Sequence, residues 1–145
     1  MCLDNFSVFI PARGGSKSIK QKNLQKIDNL PLVERSIQLA LKRFDPERIV
    51  ISSDCENILN IGNNYNVELH FRSEETSGDS ATTESAVREY LLPKKLISKW
   101  LILIEPTSPF LSLSDLNKLV DLCNSNNDAS CIYSVSEIRH TKLEI

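Results

Sequence analysis

Short apolar runs typical of strands alternate along the chain with the three- and four-residue apolar spacing of helices. This order predicts strands separated by helices. Short apolar or β-branched runs predict strands at 7–10, 48–52, 67–71, 99–104 and 130–135. The run at 99–104, KWLILI, is almost continuously apolar, which is typical of a strand buried on both faces.

Apolar residues spaced by three and four positions predict helices between these strands. The predicted helices span 32–44, 56–65, 84–92 and 113–124. Pro31 stands where the start of a helix tolerates proline, and Ser112 and Asp115 have the spacing of a capping box. The small and polar residues at 72–82 predict a loop.

The alternation of strands and helices predicts an α/β fold with three layers and a mainly parallel sheet. In such sheets the ligand site lies beyond the carboxyl ends of the strands. Polar residues directly follow four of the predicted strands, at Arg13, Ser53-Asp54, Arg72 and Glu105. We therefore expect these residues to share one site, within a single domain over 1–145.

Composition narrows the class of protein. The chain has 145 residues, of which 41% are hydrophobic and 25% charged, as in a globular domain with its own core. The net charge of −2 argues against a nucleic-acid partner, and no apolar run has the length of a membrane span. The N-terminus lacks the basic region of a secretory signal and the four cysteines form no C-x-x-C pair, so we expect a cytoplasmic protein with reduced thiols.

The sequence IPARGGSKSIKQKNL at 10–24 holds the strongest candidate for ligand binding. Gly14 and Gly15 follow the first predicted strand, and glycines let a backbone approach a ligand closely. Five of the 17 basic residues lie between positions 13 and 26, at Arg13, Lys17, Lys20, Lys22 and Lys26. Cations beside backbone N–H groups can neutralise a polyphosphate. The spacing fits neither the P-loop nor the dinucleotide fingerprint, and a solvated loop has a similar composition.

Two further loops and one acidic residue are candidates. The stretch FRSEETSGDSATTE places Arg72 after a strand and follows it with small residues, which allow a flat ring to approach the backbone. The alternative is a solvated loop in which Thr82 or Thr83 caps the next helix. Residues 105–110, EPTSPF, form a stiff loop suited to substrate contacts or simply to a turn. Asp54 could bind a cation or a ribose, or could turn the chain into the next helix.

Taken together, these segments resemble the CMP-sialic acid synthetases, or acylneuraminate cytidylyltransferases, whose relatives act on pseudaminic, legionaminic and related nonulosonic acids. IPARGGSKSIKQKNL is close to the family's I-P-A-R-x-G-S-K-G-I-x-x-K-N-L, and EPTSPF is similar to its Q-P-T-S-P-L. Residues 72–83 are similar to its R-P-x-E-L-A-x-D-x-[AST] stretch, and Ser52-Ser53-Asp54 matches its S-[ST]-D. The motifs keep the family's order from Phe6 onward, which implies the Rossmann-like topology of nucleotide-diphospho-sugar transferases.

The resemblance implies a reaction and a role for each matching residue. The anomeric hydroxyl of a nonulosonic acid would attack the α-phosphate of CTP, pyrophosphate would leave, and a magnesium ion (Mg2+) would balance the charge. Arg13, Lys17 and Lys22 would be the catalytic residues. The nucleotide would be bound by Arg13, Gly14, Gly15, Ser16, Lys17, Lys22, Asn23, Arg72, Asp79, Ala81 and Thr83, and the sugar acid by Glu105, Thr107 and Ser108. Full-length relatives are homodimers.

The chain departs from the family's pattern at three positions and in length. Ser18 stands where members usually have Gly, Lys20 where they often have Pro, and Glu105 where they usually have Gln. A carboxylate at Glu105 would repel an anionic sugar acid unless it points away, binds a cation or meets an amino substituent. The family continues with a segment that supplies dimer contacts, part of the sugar pocket and a carboxylate pair for magnesium. We therefore expect the chain to correspond to the nucleotide-binding two-thirds of the enzyme, with its metal ligands unassigned.

Two alternatives stay open at this point. One is a CTP-binding module without catalysis. The other is a cytidylyltransferase for another acidic sugar such as 3-deoxy-manno-octulosonate, although that family typically has Ser-Thr-Arg where this chain has Ser16-Lys17-Ser18.

Overall fold

The computed structural model describes residues 5–16, 19–94 and 98–135. The strands are β1 (Phe6–Pro11), β2 (Lys26–Ile27), β3 (Leu30–Pro31), β4 (Ile49–Ser53), β5 (Glu68–Phe71) and β6 (Trp100–Leu103). The helices are α1 (Leu32–Leu41), α2 (Glu56–Asn64), α3 (Glu74–Ser77), α4 (Thr83–Leu91) and α5 (Leu113–Ser125), with 3-10 turns at Lys22–Leu24 and Pro46–Arg48.

A parallel four-stranded sheet with the order β5-β4-β1-β6 forms the centre of the fold. Strand β1 lies between its neighbours, so that Val8 is opposite Ile49 on one side and Ile102 on the other. After β1 the chain adds β4 and β5 on one side, and it then returns to add β6 on the other. In open parallel sheets, such a change of direction opens a crevice at the carboxyl ends of the strands.

Helices cover both faces of the sheet, which confirms the predicted three-layer α/β architecture. Alternate residues of a strand point to opposite faces. Val8 and Ile10 point into a large core that includes residues of α1, α2 and α5. Phe9 points the other way, into a smaller cluster with Ala86 and Tyr90 of α4. Because β1 is covered on both faces, its run of apolar residues is continuous.

The predicted elements are present except for the last strand. The predicted capping box at the start of α5 is confirmed, because the Ser112 hydroxyl accepts from the Asp115 N–H at 3.2 Å and the Ser112 N–H donates to the Asp115 carboxylate at 3.0 Å. The prediction of a strand at 130–135 is wrong, since the described residues there have no strand pairing, and Tyr133 and Val135 are largely exposed.

Strand β6 is less buried than its sequence predicts. Ile102 and Ile104 are buried, but Leu103 is 48% exposed. The reason is that β6 pairs only with β1 and so forms an edge of the described sheet, beyond the main cover of α4. Continuous apolarity therefore did not indicate burial on both faces here.

Two small elements were not predicted. Strands β2 and β3 form a hairpin whose turn residues, Asp28 and Asn29, have left-handed φ angles of 51° and 63°. Two-residue strands are too short to show the alternation of apolar and polar residues that is typical of a strand. Only the Asp-Asn pair at the turn indicates the hairpin. Helix α3 lies within the predicted loop at 72–82 and is a single turn. None of the helices in the described ranges is long and apolar enough to span a membrane.

Candidate functional site

A cavity of about 280 Å³ lies at the carboxyl ends of the strands, beside the change of direction between β1 and β6. Three segments line it: the chain after β1, the segment between β5 and α4, and the turn after β6. The lining residues are Pro11, Arg13, Gly15, Ser16, Lys22, Asn23, Arg72, Ala81, Thr82, Thr83, Glu105, Pro106 and Thr107. The three sequence stretches that carry the candidate residues therefore meet at one site.

Positive charge dominates the lining of the cavity. Arg13, Lys22 and Arg72 contribute three cations, and Glu105 is the one carboxylate among the lining residues. A concave surface with this balance attracts a polyanion and excludes polycations. The side chain of Glu105 is exposed and makes a long contact of 3.5 Å with the Thr83 hydroxyl, close to the N-terminus of α4. That position favours a negative charge, because the helix dipole is positive there.

Polar contacts fix the backbone of the loop after β1. The Asn23 side-chain amide donates to the Arg13 carbonyl at 2.9 Å, and Asn23 is buried. The Gly14 N–H donates to Asp54 Oδ1 at 2.7 Å. Asp54 therefore anchors the loop, which is neither the ligand role nor the simple turn considered from the sequence. The Arg13 guanidinium reaches across the cavity and donates to the Gly78 carbonyl at 3.0 Å.

Glycine stands at the two positions of this loop for different structural reasons. Neither has a positive φ angle. A Cβ atom on Gly14 would lie 2.8 Å from the Cβ of Cys55, so Gly14 is needed for the loop to pack on the start of α2. A Cβ atom on Gly15 would meet nothing within 4 Å, and Gly15 lines the cavity. Close approach of a ligand therefore concerns Gly15 rather than Gly14.

Substitution by alanine is expected to separate these two roles. Gly14→Ala should lower the free energy of unfolding by about 1–3 kcal/mol, because the added methyl group overpacks against Cys55. Gly15→Ala should leave stability unchanged within about 0.5 kcal/mol, because its Cβ atom has open space. Urea unfolding of both variants measures the difference, and equal stabilities would contradict it.

Arg72 is buried at the inner wall of the cavity, with 4% of its surface exposed. Its guanidinium donates to the Thr76 carbonyl, while its Nε has no hydrogen-bond partner among the described residues. Burial lowers the pKa of Arg72, and the nearby carboxylates of Asp54 and Glu89 act in the opposite direction. The buried cation is thus balanced by carboxylates outside the cavity, and its Nε is shielded from solvent without a hydrogen-bond acceptor among the described residues.

A histidine lies behind Arg72 on the sheet. His70 Nδ1 is 2.9 Å from the Ser52 hydroxyl and its Nε2 is 3.8 Å from Glu89 Oε2. Burial lowers the pKa of His70, although the charge of Glu89 acts to raise it. His70 does not line the cavity, so it contributes to the support of the wall.

The structure brings most of the candidate residues together. Those that line the cavity are Arg13, Gly15, Ser16, Lys22, Asn23, Arg72, Ala81, Thr83, Glu105 and Thr107. Gly14, Asp79 and Ser108 lie outside the lining. Gly14 acts through the loop backbone, Asp79 follows the carbonyl that Arg13 binds, and the Ser108 N–H closes a turn onto the Glu105 carbonyl at 2.9 Å. Lys17 lies outside the described residues.

Three lining residues were not among the candidates: Pro11, Thr82 and Pro106. Thr82 caps α4, since its hydroxyl accepts from the Ser85 N–H at 3.1 Å, and the sequence indicated only this capping role. Pro11 is the last residue of β1 and Pro106 comes three positions after β6, at the edge of the sheet where the site was expected. Their position was therefore a signal that could have identified them.

The described residues do not form a metal site held by the protein alone. No group of three His, Cys, Asp or Glu side chains with suitable geometry occurs in the described ranges. Glu105 is the single lining carboxylate, and Asp54 is already bound to the Gly14 N–H. Magnesium usually combines one or two carboxylates with phosphate oxygens. Glu105 and Asp54 alone do not supply a full set of magnesium ligands.

The family model for cytidylyltransferases matches residues 7–144 of the chain. An N-acylneuraminate cytidylyltransferase of Escherichia coli is 28% identical over 88% of this chain, which covers 30% of that protein. A pseudaminic acid cytidylyltransferase of Campylobacter jejuni is 30% identical over 90% of this chain and 58% of that protein. A post-translational flagellin modification protein B of Campylobacter coli is 34% identical, over 82% of this chain and 53% of its own length. The chain thus spans about a third to three fifths of these relatives.

Solved structures share the fold. A CMP:2-keto-3-deoxy-manno-octonic acid synthetase complexed with CTP matches with a TM-score of 0.69 at 17% identity, over 85% of this chain and 48% of that one. A cytidylyltransferase of Leptospira borgpetersenii matches with a TM-score of 0.67 at 15% identity, over 86% of this chain and 50% of that one. At these identities the likeness supports the architecture of a nucleotidyltransferase, in agreement with the predicted topology.

Proposed function

Because the chain belongs to the cytidylyltransferase family, we propose that its cavity binds CTP and serves the transfer of CMP to a nonulosonic acid. The observation that carries the proposal is the meeting of all three candidate stretches at one cationic cavity. The relatives named for N-acylneuraminate and pseudaminic acid transfer support this substrate class.

In the proposed reaction, the anomeric hydroxyl of the sugar acid attacks the α-phosphorus of CTP. A new P–O bond forms, the bond between the α-phosphorus and the oxygen that bridges it to the β-phosphorus breaks, pyrophosphate leaves with that oxygen, and the hydroxyl proton passes to solvent. Such transfers need positioning and charge stabilisation more than covalent chemistry. Arg13 and Lys22 would stabilise the triphosphate and the leaving pyrophosphate, together with Lys17 on the evidence of the sequence.

The nucleoside would lie along the segment between β5 and α4. Ala81 and Thr83 line the cavity opposite the loop after β1, and small side chains there leave room for a flat base. Arg72 and Asn23 would meet the polar edge of the nucleotide from the inner wall. Gly14 and Asp79 would act indirectly, through the backbone of the two loops that face each other.

The sugar acid would lie toward Glu105 and Thr107, with Ser108 shaping the turn. Because the carboxylate of Glu105 is exposed in an otherwise cationic lining, it disfavours a second carboxylate nearby and favours a hydrogen-bond donor. We propose that the preferred acid presents an amino, amido or hydroxyl group at this position.

A divalent metal is general among cytidylyltransferases, and we propose magnesium, supplied in complex with the phosphates of CTP. The described residues offer too few ligands to hold it without the nucleotide. A cytoplasmic location is also part of the proposal, and the free thiols of Cys55, Cys123 and Cys131 support it.

CTP binding without transfer is the second candidate function. It is favoured by the absence of a metal-binding group of side chains from the described ranges, in contrast to a well-formed cavity. The two candidates differ only in whether pyrophosphate is released.

The decisive experiment measures pyrophosphate release from CTP and magnesium with a panel of nonulosonic acids. We expect release with at least one acid and none with CTP alone. Glu105→Gln should shift the order of preference within the panel about tenfold toward acids that lack a donor at the contacted position, because one charge-assisted hydrogen bond is lost. No release with any acid, but retained CTP binding, would contradict transfer and favour the second candidate. Loss of CTP binding as well would contradict both.

A further inference from the structure

We propose that Glu89, a half-buried residue of α4, is a positioning residue that holds the segment 72–78 so that Arg72 and Arg13 face the nucleotide. The inference rests on the proposed function. Glu89 does not line the cavity, and neither the motifs nor the relatives' names indicate it.

The carboxylate of Glu89 holds the segment at two points. Its Oε1 accepts from the Ser73 N–H at 3.1 Å, and its Oε2 accepts from the Thr76 hydroxyl. These contacts span α3, the single turn that directly follows Arg72. A single helical turn has too few internal hydrogen bonds to be stable alone, so its shape depends on such anchors.

Both cavity arginines depend on the segment that Glu89 anchors. The Arg72 guanidinium donates to the carbonyl of Thr76, and the hydroxyl of the same Thr76 donates to Glu89. The Arg13 guanidinium donates to the Gly78 carbonyl, just beyond α3. A shift of α3 would therefore move the acceptors of both guanidiniums and reorient them relative to the phosphates.

Electrostatics favour an ionised Glu89 at this place. Burial raises the pKa of Glu89, but hydrogen bonds from Thr76 and Ser73 and the nearby His70 more than offset this, so that the pKa lies below its usual value. The titratable groups that face it are His70 of β5 and the buried Arg72. An anion at this position holds the N–H and hydroxyl donors and also balances the charge of Arg72.

The test compares Glu89→Gln and Glu89→Ala with the wild-type chain and with Glu84→Gln as a matched control. Glu84 is on the same helix, but its exposed carboxylate binds Arg88 at 3.0 Å, away from the segment. Amide hydrogen exchange of residues 73–78 without nucleotide and CTP affinity by calorimetry are measured well below the melting temperature. The Gln side chain keeps one acceptor oxygen, and the Ala side chain keeps none.

We expect a graded result. Glu89→Gln should raise exchange of the Ser73 amide and weaken CTP binding by about tenfold each, with a larger loss in Glu89→Ala, because a charge-assisted hydrogen bond is lost at each step. Glu84→Gln should change neither quantity. Unchanged CTP affinity in a folded Glu89→Ala variant would overturn the proposal, even if exchange increased, since the role would then be structural alone. A wild-type chain that binds no CTP would instead refute the proposed function, and the exchange data would still decide whether Glu89 holds the segment.

Discussion

Replacing Arg13 with alanine is expected to weaken CTP binding by about 10- to 100-fold, because a charge-assisted hydrogen bond to a phosphate contributes about 1.5–3 kcal/mol. Arg13 lies in the cationic lining, and its partner without nucleotide is a neutral carbonyl, that of Gly78. Exchange of a neutral acceptor for a phosphate oxygen strengthens the contact. Calorimetric titration with CTP at low ionic strength measures the loss, and added salt should reduce the difference between the two proteins.

Lys17→Ala is expected to weaken CTP binding in the same direction, on the evidence of its place in IPARGGSKSIKQKNL. Arg88→Ala is the matched control for both substitutions, because Arg88 is an exposed cation that pairs with Glu84 on α4, outside the cavity. Unchanged affinity in both Arg13→Ala and Lys17→Ala would refute the assignment of the loop after β1 to phosphate binding. An equal loss in Arg88→Ala would show that net charge, and not the cavity, determines the affinity.

The sequence predicted the elements whose stability comes from their own pattern. Helix α5 was predicted together with its capping box, because both its apolar face and its Ser112–Asp115 cap are local signals. Pairing between strands is not local. The run at 130–135 has strand-like residues but no strand partner in the described part of the chain. Conversely, β2 and β3 pair with each other although their sequences show almost no strand-like hydrophobic pattern.

The site was predicted through the topology of parallel sheets. Residues that directly follow strands, such as Arg13, Arg72 and Glu105, converge because the carboxyl ends of the strands lie at one edge. Residues that support the site from a distance could not be found in this way. Glu89 lies in the last turn of α4, 13 positions after its partner Thr76, and no local spacing indicates that contact.

Replacement of the buried Arg72 with methionine is expected to have the largest combined effect. The substitution fills a similar volume but removes the cation that balances Asp54 and Glu89. Loss of one partner from a buried charge cluster costs about 2–4 kcal/mol of unfolding free energy when the remaining carboxylate is partly exposed, as Glu89 is. CTP binding should fall by about 100-fold or more, since the substitution removes the buried cation from the lining of the cavity.

Arg72→Lys separates the two effects of this substitution. Lysine keeps the charge, so urea unfolding should show less than half of the destabilisation seen in Arg72→Met. Its single ammonium group cannot bind the Thr76 carbonyl and a nucleotide oxygen with the planar geometry of a guanidinium, so CTP affinity should still fall by about tenfold. Arg88→Met, at an exposed position, should change neither quantity. A fully stable Arg72→Met variant with wild-type CTP affinity would place the nucleotide away from this wall, because no other lining cation is buried as Arg72 is.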